Sequence, residues 1–217
     1  IGEVDHARRF ELFGAIEAAR KPESEFWRSI IWGEIARHRT GDQLPLDLVR
    51  KLALSIPFEA GVRLRKAGRS TSLPVVVPVT DEFLWLLGLH AAEGSVHARR
   101  PKSAVVTISC DNDALDRAEK VLRRDLRVHV GRSASSSARA ASLRVDSVLL
   151  VELLAHLGLD GGEKRIPGWV LGLPLRRLGW FLEGYREGGG VHSGFRFDEQ
   201  RRHEFSTTST ALKDDLV

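Results

Sequence analysis

The period of hydrophobic residues changes several times along this chain, and each change predicts an element. Between residues 1 and 70 the spacing is helical. Phe10, Phe13, Ile16 and Ala19 recur at three-residue steps, and Phe26, Ile30, Ile31 and Ile35 form a second stripe with Pro22 near its start. Gly41, Asp42 and Pro45 interrupt, and Leu46 to Leu54 makes a third helical pattern. From Ala67 to Val79, Gly68, Pro74 and Pro78 break the periodicity and predict a linker, centred on 71–79. Thr80 and Asp81 then offer a cap to a helix that is apolar on nearly every side from Phe83 to Ala92, which demands burial on more than one face.

Alternating segments follow at Val96–Arg100 and Ala104–Cys110, then a helix from about Asn112 to Asp125. Strands are predicted at Arg127–Arg132 and Ser142–Asp146, and an amphipathic helix at Val148–Leu157, ended by Gly158. After a connector, Leu175–Arg186 is a second near-apolar helix that runs into Gly188-Gly189-Gly190. Phe195 and Phe197 alternate with Arg196 and Asp198, Glu204–Thr207 reads as a partner strand, and a helix begins after Ser209. The second pass therefore repeats the first and stops before its last two strands.

The two apolar helices share one device. Gly88 and Ala92 in the first, and Gly184 and Gly188 in the second, are four residues apart and so lie on one helix face. Small residues there let two helix backbones approach closely, by the logic that drives small-xxx-small contacts between membrane helices. The first helix ends in Glu93, an acid at the edge of that face.

Composition narrows the partners. The 217 residues carry a formal net charge of +4 and a sequence pI of about 9.6. The basic excess is rich in arginine, whose planar fork suits phosphate and guanine. No apolar run is long enough for a membrane span, and no stretch reads as a signal peptide. A single cysteine, Cys110, excludes an internal disulfide framework and a cysteine-rich zinc site and fits a reducing compartment. The expected location is cytoplasmic, in the prokaryotic cytosol or nucleoid. With Ile1 first and no methionine, the chain reads as a fragment or a processed piece.

Leu86-Leu87-Gly88-Leu89-His90-Ala91-Ala92-Glu93-Gly94-Ser95 resembles the LAGLIDADG motif of homing endonucleases, and Leu182-Glu183-Gly184-Tyr185-Arg186-Glu187-Gly188-Gly189-Gly190 resembles its second copy. Lys164-Arg165-Ile166-Pro167 with Leu171-Gly172-Leu173-Pro174 is similar to the block before the second motif in intein-type members. Phe205-Ser206-Thr207-Thr208-Ser209, with Leu212 and Leu216, is similar to the block after it. The resemblance covers residues 79–217. It implies an α+β fold of two αββαββα repeats about a pseudo-two-fold helix pair, the second repeat truncated. The implied plan is an N-terminal helical segment (1–70), the linker (71–79), a first repeat (80–160), a connector (161–173) and an incomplete second repeat (174–217).

In that family the last acid of each motif binds a divalent metal, usually magnesium, over a scissile phosphate. Metal held by carboxylates can activate water and stabilise the leaving oxygen, and magnesium needs few protein ligands because it keeps waters. The resemblance gives Glu93 this role; the plainer alternative is a solvated helix-end glutamate. Aligning Gly88 with Gly184 puts Gly189 opposite Glu93, so the second metal site is expected to be lost or crippled unless Glu187 reaches it. Lys164 matches a connector lysine that can polarise water or neutralise charge, and is equally readable as a loop lysine.

Strand alternation suggests a basic sheet face for double-stranded DNA, formed by Arg127, His129, Arg144 and Arg196 together with Arg99, Arg100, Arg132 and Arg139. Arg37, His38, Arg39, Arg63, Arg65, Lys66 and Arg69 are candidates for further DNA contacts, and the segment that carries them reads equally as a packing element or a host-protein remnant.

Two functions compete: a magnesium- or manganese-dependent endonuclease or nickase, and an inactive DNA-binding module derived from one, which Gly189 favours. Neither needs a membrane or a small-molecule cofactor. Ile1 and Val217 lack the nucleophile and asparagine of protein splicing, so splicing is not expected. A complete chain would act as a pseudo-symmetric monomer, and an incomplete second sheet would invite a dimer through its exposed edge.

Overall fold

The computed structural model describes Leu46 and residues 61–66, 69–100, 103–134, 141–189 and 209–216, without the side chains of 98–100, 103 and 134. Two compact units divide the chain, residues 1–62 and 63–217. The expected helices before residue 61, and the strands expected around Phe195–Phe197 and Glu204–Thr207, lie outside the described residues.

The second unit opens with a short antiparallel pair, β1 (Arg63–Arg65) and β2 (Ser72–Pro74). β2 falls inside the stretch expected as a linker. Arg63 explains why three-residue strands persist there. Its guanidinium donates to Ser72 Oγ at 2.8 Å and to the Ser72, Leu126 and Arg127 carbonyls at 2.6, 3.2 and 3.1 Å.

α1 (Asp81–Glu93) starts where the sequence predicts. Thr80 Oγ1 accepts from Phe83 N at 3.0 Å, and Asp81 and Glu82 sit in the first turn, where carboxylates suit the helix dipole. Every residue from Phe83 to Ala91 is buried, and Leu84, Trp85 and Leu89 have no exposed surface. The helix runs directly into β3 (Gly94–Arg100), followed by β4 (Ser103–Cys110). α2 (Asn112–Val121), capped by Asp111 Oδ1 on Ala114 N at 2.9 Å, passes into a π-helical turn, Leu122–Leu126. Arg127 ends that turn in the left-handed region, φ 50°.

β5 (Gly131–Ala134), β6 (Ala141–Asp146) and α3 (Val148–His156) complete the helix–two strands–helix–two strands–helix order. α4 (Gly168–Leu171), α5 (Leu175–Gly188) and α6 (Thr210–Leu216) follow.

The fold is α+β with antiparallel sheets. The larger sheet has the order β3-β4-β6-β5. Register sorts its faces, because directly paired residues share a face. Val96, Val106 and Val145 form one row on the core face, and Ile108 and Leu143 form the next. α1, α2 and α3 contact the strands, and the buried side chains join one core. The opposite face carries Ser95-Thr107-Arg144, then His97-Val105-Asp146, then Ser109-Ser142-Ser133. Among the described residues, no helix is long and apolar enough to cross a membrane.

Candidate active site at the crossed helices

α1 and α5 meet at their glycines. A Cβ on Gly88 would land on the Phe181 carbonyl oxygen, with Phe181 C at 2.8 Å and Tyr185 N at 2.9 Å. A Cβ on Gly184 would land on the Trp85 carbonyl oxygen, with Trp85 C at 2.8 Å and Leu89 N at 3.0 Å. Each glycine thus faces the carbonyl three residues before its counterpart and the amide one residue after it. That reciprocity is the contact pattern of a two-fold axis, here between two helices of one chain. One turn further on, a Cβ on Gly188 would stand 2.7 Å from Ala92 Cβ and 3.2 Å from Glu93 Cγ. The four small residues singled out in the sequence therefore all lie at the crossing or beside it.

The crossing delivers the helix ends to one place. Glu93, the last residue of α1, is exposed, yet partial burial raises its carboxyl above the ordinary range, with Lys164 pulling it back. Gly189 caps α5 in the position related to Glu93 by the glycine pairing and offers no side chain. Glu187 lies nearby. Burial pushes the Cys110 thiol, at the end of β4, up to about 12, with Asp111, Glu93 and Glu187 adding to the shift.

Glu187 is already engaged. Its Oε2 accepts from Trp85 Nε1 at 3.0 Å and its Oε1 is 3.6 Å from Arg117 Nη1. Arg117, on α2, also holds Glu82 through two bonds of 2.9 and 3.1 Å and Glu183 at 3.4 Å. Its guanidinium lies 4.1 Å from the Trp85 ring centroid and 5.7 Å from that of Trp180. Sequence reasoning missed Arg117. The residue borders the buried stripe of Ala114, Ala118 and Val121, but its acidic partners come from two other helices.

Lys164 reaches the end of α1 rather than open solvent. Its Nζ donates to the carbonyls of His90, Ala91 and Gly94 at 2.9, 3.0 and 2.6 Å. Three donors meet three acceptors, so the ammonium is saturated where it stands. Burial lowers it to about 8, with Glu93 opposing. A cation on exposed C-terminal carbonyls stabilises a helix end. Lys164 therefore caps the helix that carries Glu93, a role outside both sequence alternatives.

His90, one turn before Glu93, is buried against the Leu159 carbonyl, with Nε2 at 3.0 Å. The carbonyl can only accept, so Nε2 carries the proton, and Nδ1 has no partner among the described residues. Burial, with Lys164 adding, holds this imidazole near 4 against an ordinary 6.5. An unfolded chain takes up a proton near pH 6.5 while the folded chain resists until about pH 4. Stability should fall as pH drops through that window, by about 3 kcal/mol in all. Denaturant unfolding from pH 7 to pH 4 should show this extra slope in the native chain and not in His90→Leu. Equal slopes in the two chains would contradict the neutral buried state.

The expected basic sheet face is only partly assembled. Arg144 lies on the open face, but it pairs with Asp146 at 2.9 Å. Arg132 stands opposite Leu143, hence on the helix-covered side, where it donates to Asn112 Oδ1 at 2.9 Å and pairs with Asp116. Its place follows from phase: it alternates in step with Val128 and Val130, both buried. Arg127 and His129 are exposed but precede β5, because the left-handed turn at Arg127 delays the ladder to Gly131. Arg99 and Arg100 lie on β3 with side chains outside the described ones, and Arg139 and Arg196 lie outside the described residues. The hydroxyls Ser95, Thr107, Ser109, Ser142 and Ser133, which the sequence reading passed over, share the open face with Arg144, His97 and Asp146; Ser133 and Ser142 share a 2.7 Å hydrogen bond.

Of the described residues at the two helix ends, Glu93 is the one that could hold a divalent metal. Glu93 supplies one exposed carboxylate, sufficient for an ion that takes its other oxygens from water and phosphate. Gly189 supplies none, and Glu187 is committed to Trp85 and Arg117. Among the described residues no group of three His, Cys, Asp or Glu side chains is placed to hold a metal ion.

Fold and site together define an α+β domain with a glycine-crossed helix pair, an exposed acid at the end of one of the two helices, and a polar open sheet face. No protein-family model and no curated protein sequence matches the chain. Among solved structures it is similar to the crystal structure of I-DmoI in complex with DNA and Mn, at 19% identity and a TM-score of 0.37. The match covers 50% of this chain and spans 61% of that chain's length.

Proposed function

We propose that this chain is a DNA-binding domain of the LAGLIDADG homing-endonuclease type with a single working hydrolytic centre. The observation that carries the reading is the reciprocal contact of Gly88 and Gly184, which packs a helix that ends in Glu93 against one that ends at Gly189. The open sheet face, with its hydroxyls and Arg144, is the surface offered to duplex DNA. Hydroxyls and arginine can hydrogen-bond both base edges and phosphates.

Glu93 is the acid of the working half. A bound magnesium or manganese ion would supply Lewis acidity and an activated water there. Glu93 would anchor the ion, and Lys164 fixes the helix end and favours the ionised carboxylate. Glu187 holds the helices together through Arg117 and Trp85 and takes no part in hydrolysis. The expected product is therefore a nick. Gly189 also favours a second reading, an inactive recognition domain that binds and does not cut.

One experiment separates them. The chain is incubated with a randomised supercoiled plasmid pool and magnesium or manganese, and binding to the same DNA is followed as salt is raised. Metal-dependent open circles with salt-sensitive binding support the nickase. Binding without breakage supports the inactive domain, and no binding at low salt rejects both, because phosphate contacts weaken steeply with salt and should be strongest there.

A further inference from the structure

The connector that carries Lys164 is held by the C-terminal helix at two points. Ser209 Oγ donates to the Lys164 carbonyl at 2.8 Å and also accepts from Leu212 N at 3.2 Å, capping α6. Asp215 Oδ2 accepts from Ile166 N at 2.8 Å, so both ends of α6 fasten the segment from 164 to 166. From the other side Arg165 N donates to the Gly158 carbonyl at 2.9 Å, and Ile166 and Leu212 are buried in the same core. The backbone of Lys164 thus has little freedom.

The side chain does not share that restraint by itself. A lysine has four soft torsions, and their conformational entropy opposes any single fixed position. Reaching three carbonyls at once is feasible only if the Cα is set at the right height beneath the end of α1. A shift of the connector by an ångström would break bonds of 2.6–3.0 Å, and displacements of that size at a reacting group are worth about 100-fold in rate.

We propose that Ser209 and Asp215 are positioning residues. By fixing the connector backbone they set Lys164 on the last carbonyls of α1, and Lys164 in turn sets Glu93 over the substrate. The catalytic half of this inference rests on the reading of Glu93 as the acid; the structural half does not.

The test uses the full chain and its Ser209→Ala, Ser209→Thr and Asp215→Ala variants, with Asp214→Asn as an exposed control. Amine accessibility is read by brief acylation and mass spectrometry, with Lys120 and Lys213 as internal references. Lys164 should label slowly in the native chain. Its labelling should rise about tenfold in Ser209→Ala and in Asp215→Ala, while Ser209→Thr and the control keep it protected. Asp215→Ala leaves the α6 cap intact, so it remains informative if Ser209→Ala unfolds the helix.

In single-turnover nicking, the same two variants should lose 10- to 100-fold in rate with unchanged DNA affinity. Ser209→Ala should add nothing in a Lys164→Met background. Unchanged Lys164 labelling in Asp215→Ala, or an undiminished Ser209→Ala effect in the Lys164→Met background, overturns the proposal. A native chain that never nicks removes the reading of Glu93, while the labelling still decides whether α6 holds Lys164.

Discussion

Gly88→Ala and Gly184→Ala are expected to destabilise the folded domain by about 3 kcal/mol or more each, an unusually large effect for adding one methyl group. The new Cβ would occupy the carbonyl oxygen of the facing helix, Phe181 or Trp85, and a backbone carbonyl has no rotamer by which to retreat. Relief requires the helices to part, which strips packing from a core where Leu84, Trp85, Leu89 and Phe181 have no exposed surface. Alanine's better helix propensity returns only about 1 kcal/mol.

The same helix supplies the control. Gly179 on α5 has no neighbour among the described residues within 4 Å of its would-be Cβ, so Gly179→Ala should stabilise the domain by about 0.5–1 kcal/mol. Urea unfolding measures all three. The double variant Gly88→Ala, Gly184→Ala should cost less than the sum, because helices parted by one methyl already make room for the other. A neutral Gly88→Ala would mean that the helices do not cross as described.

Glu93→Gln should abolish metal-dependent nicking, a loss on the order of 100-fold or more, while DNA affinity holds or improves. The amide is nearly isosteric and neutral, so it loses the charge that anchors a metal and removes an anion from beside the DNA phosphates. Folding should be unaffected, since Glu93 is exposed and partial burial disfavours its charge. The complementary experiment adds an acid where the second half lacks one. Gly189 has φ −65°, a conformation open to any residue, and its would-be Cβ meets nothing closer than 3.4 Å. Gly189→Glu should therefore fold, and if the two halves are related as their glycines are, it should shift the product from open circle toward linear DNA. Nicking that survives Glu93→Gln would remove the proposed mechanism, whatever the chain binds.

The acid pair shows where reading the sequence stopped. Glu187 is near the crossing, as its position in the motif suggested. Its availability depended on Trp85 and Arg117, which are 102 and 70 residues away and on different helices. Lys164 likewise lay in the expected block, but its three acceptors are backbone carbonyls at the end of α1. No side-chain pattern marks a carbonyl as a lysine partner.

What the sequence determined by itself was everything with a local cause. The apolar run from Phe83 to Ala92, the Thr80 cap, the four-residue spacing of small side chains and the period-two strands fixed the order of elements between Thr80 and Leu157 and the face on which the helices meet, although the strand expected at Arg127–Arg132 begins at Gly131. These follow from helix and strand periodicity, which acts within a few residues. Tertiary structure decided which charges were spent on distant partners. It turned Arg132 to Asp116, drew Glu187 to Arg117 and buried Lys164 against carbonyls. An ion pair between residues far apart along the chain depends on distances that only the packed chain sets.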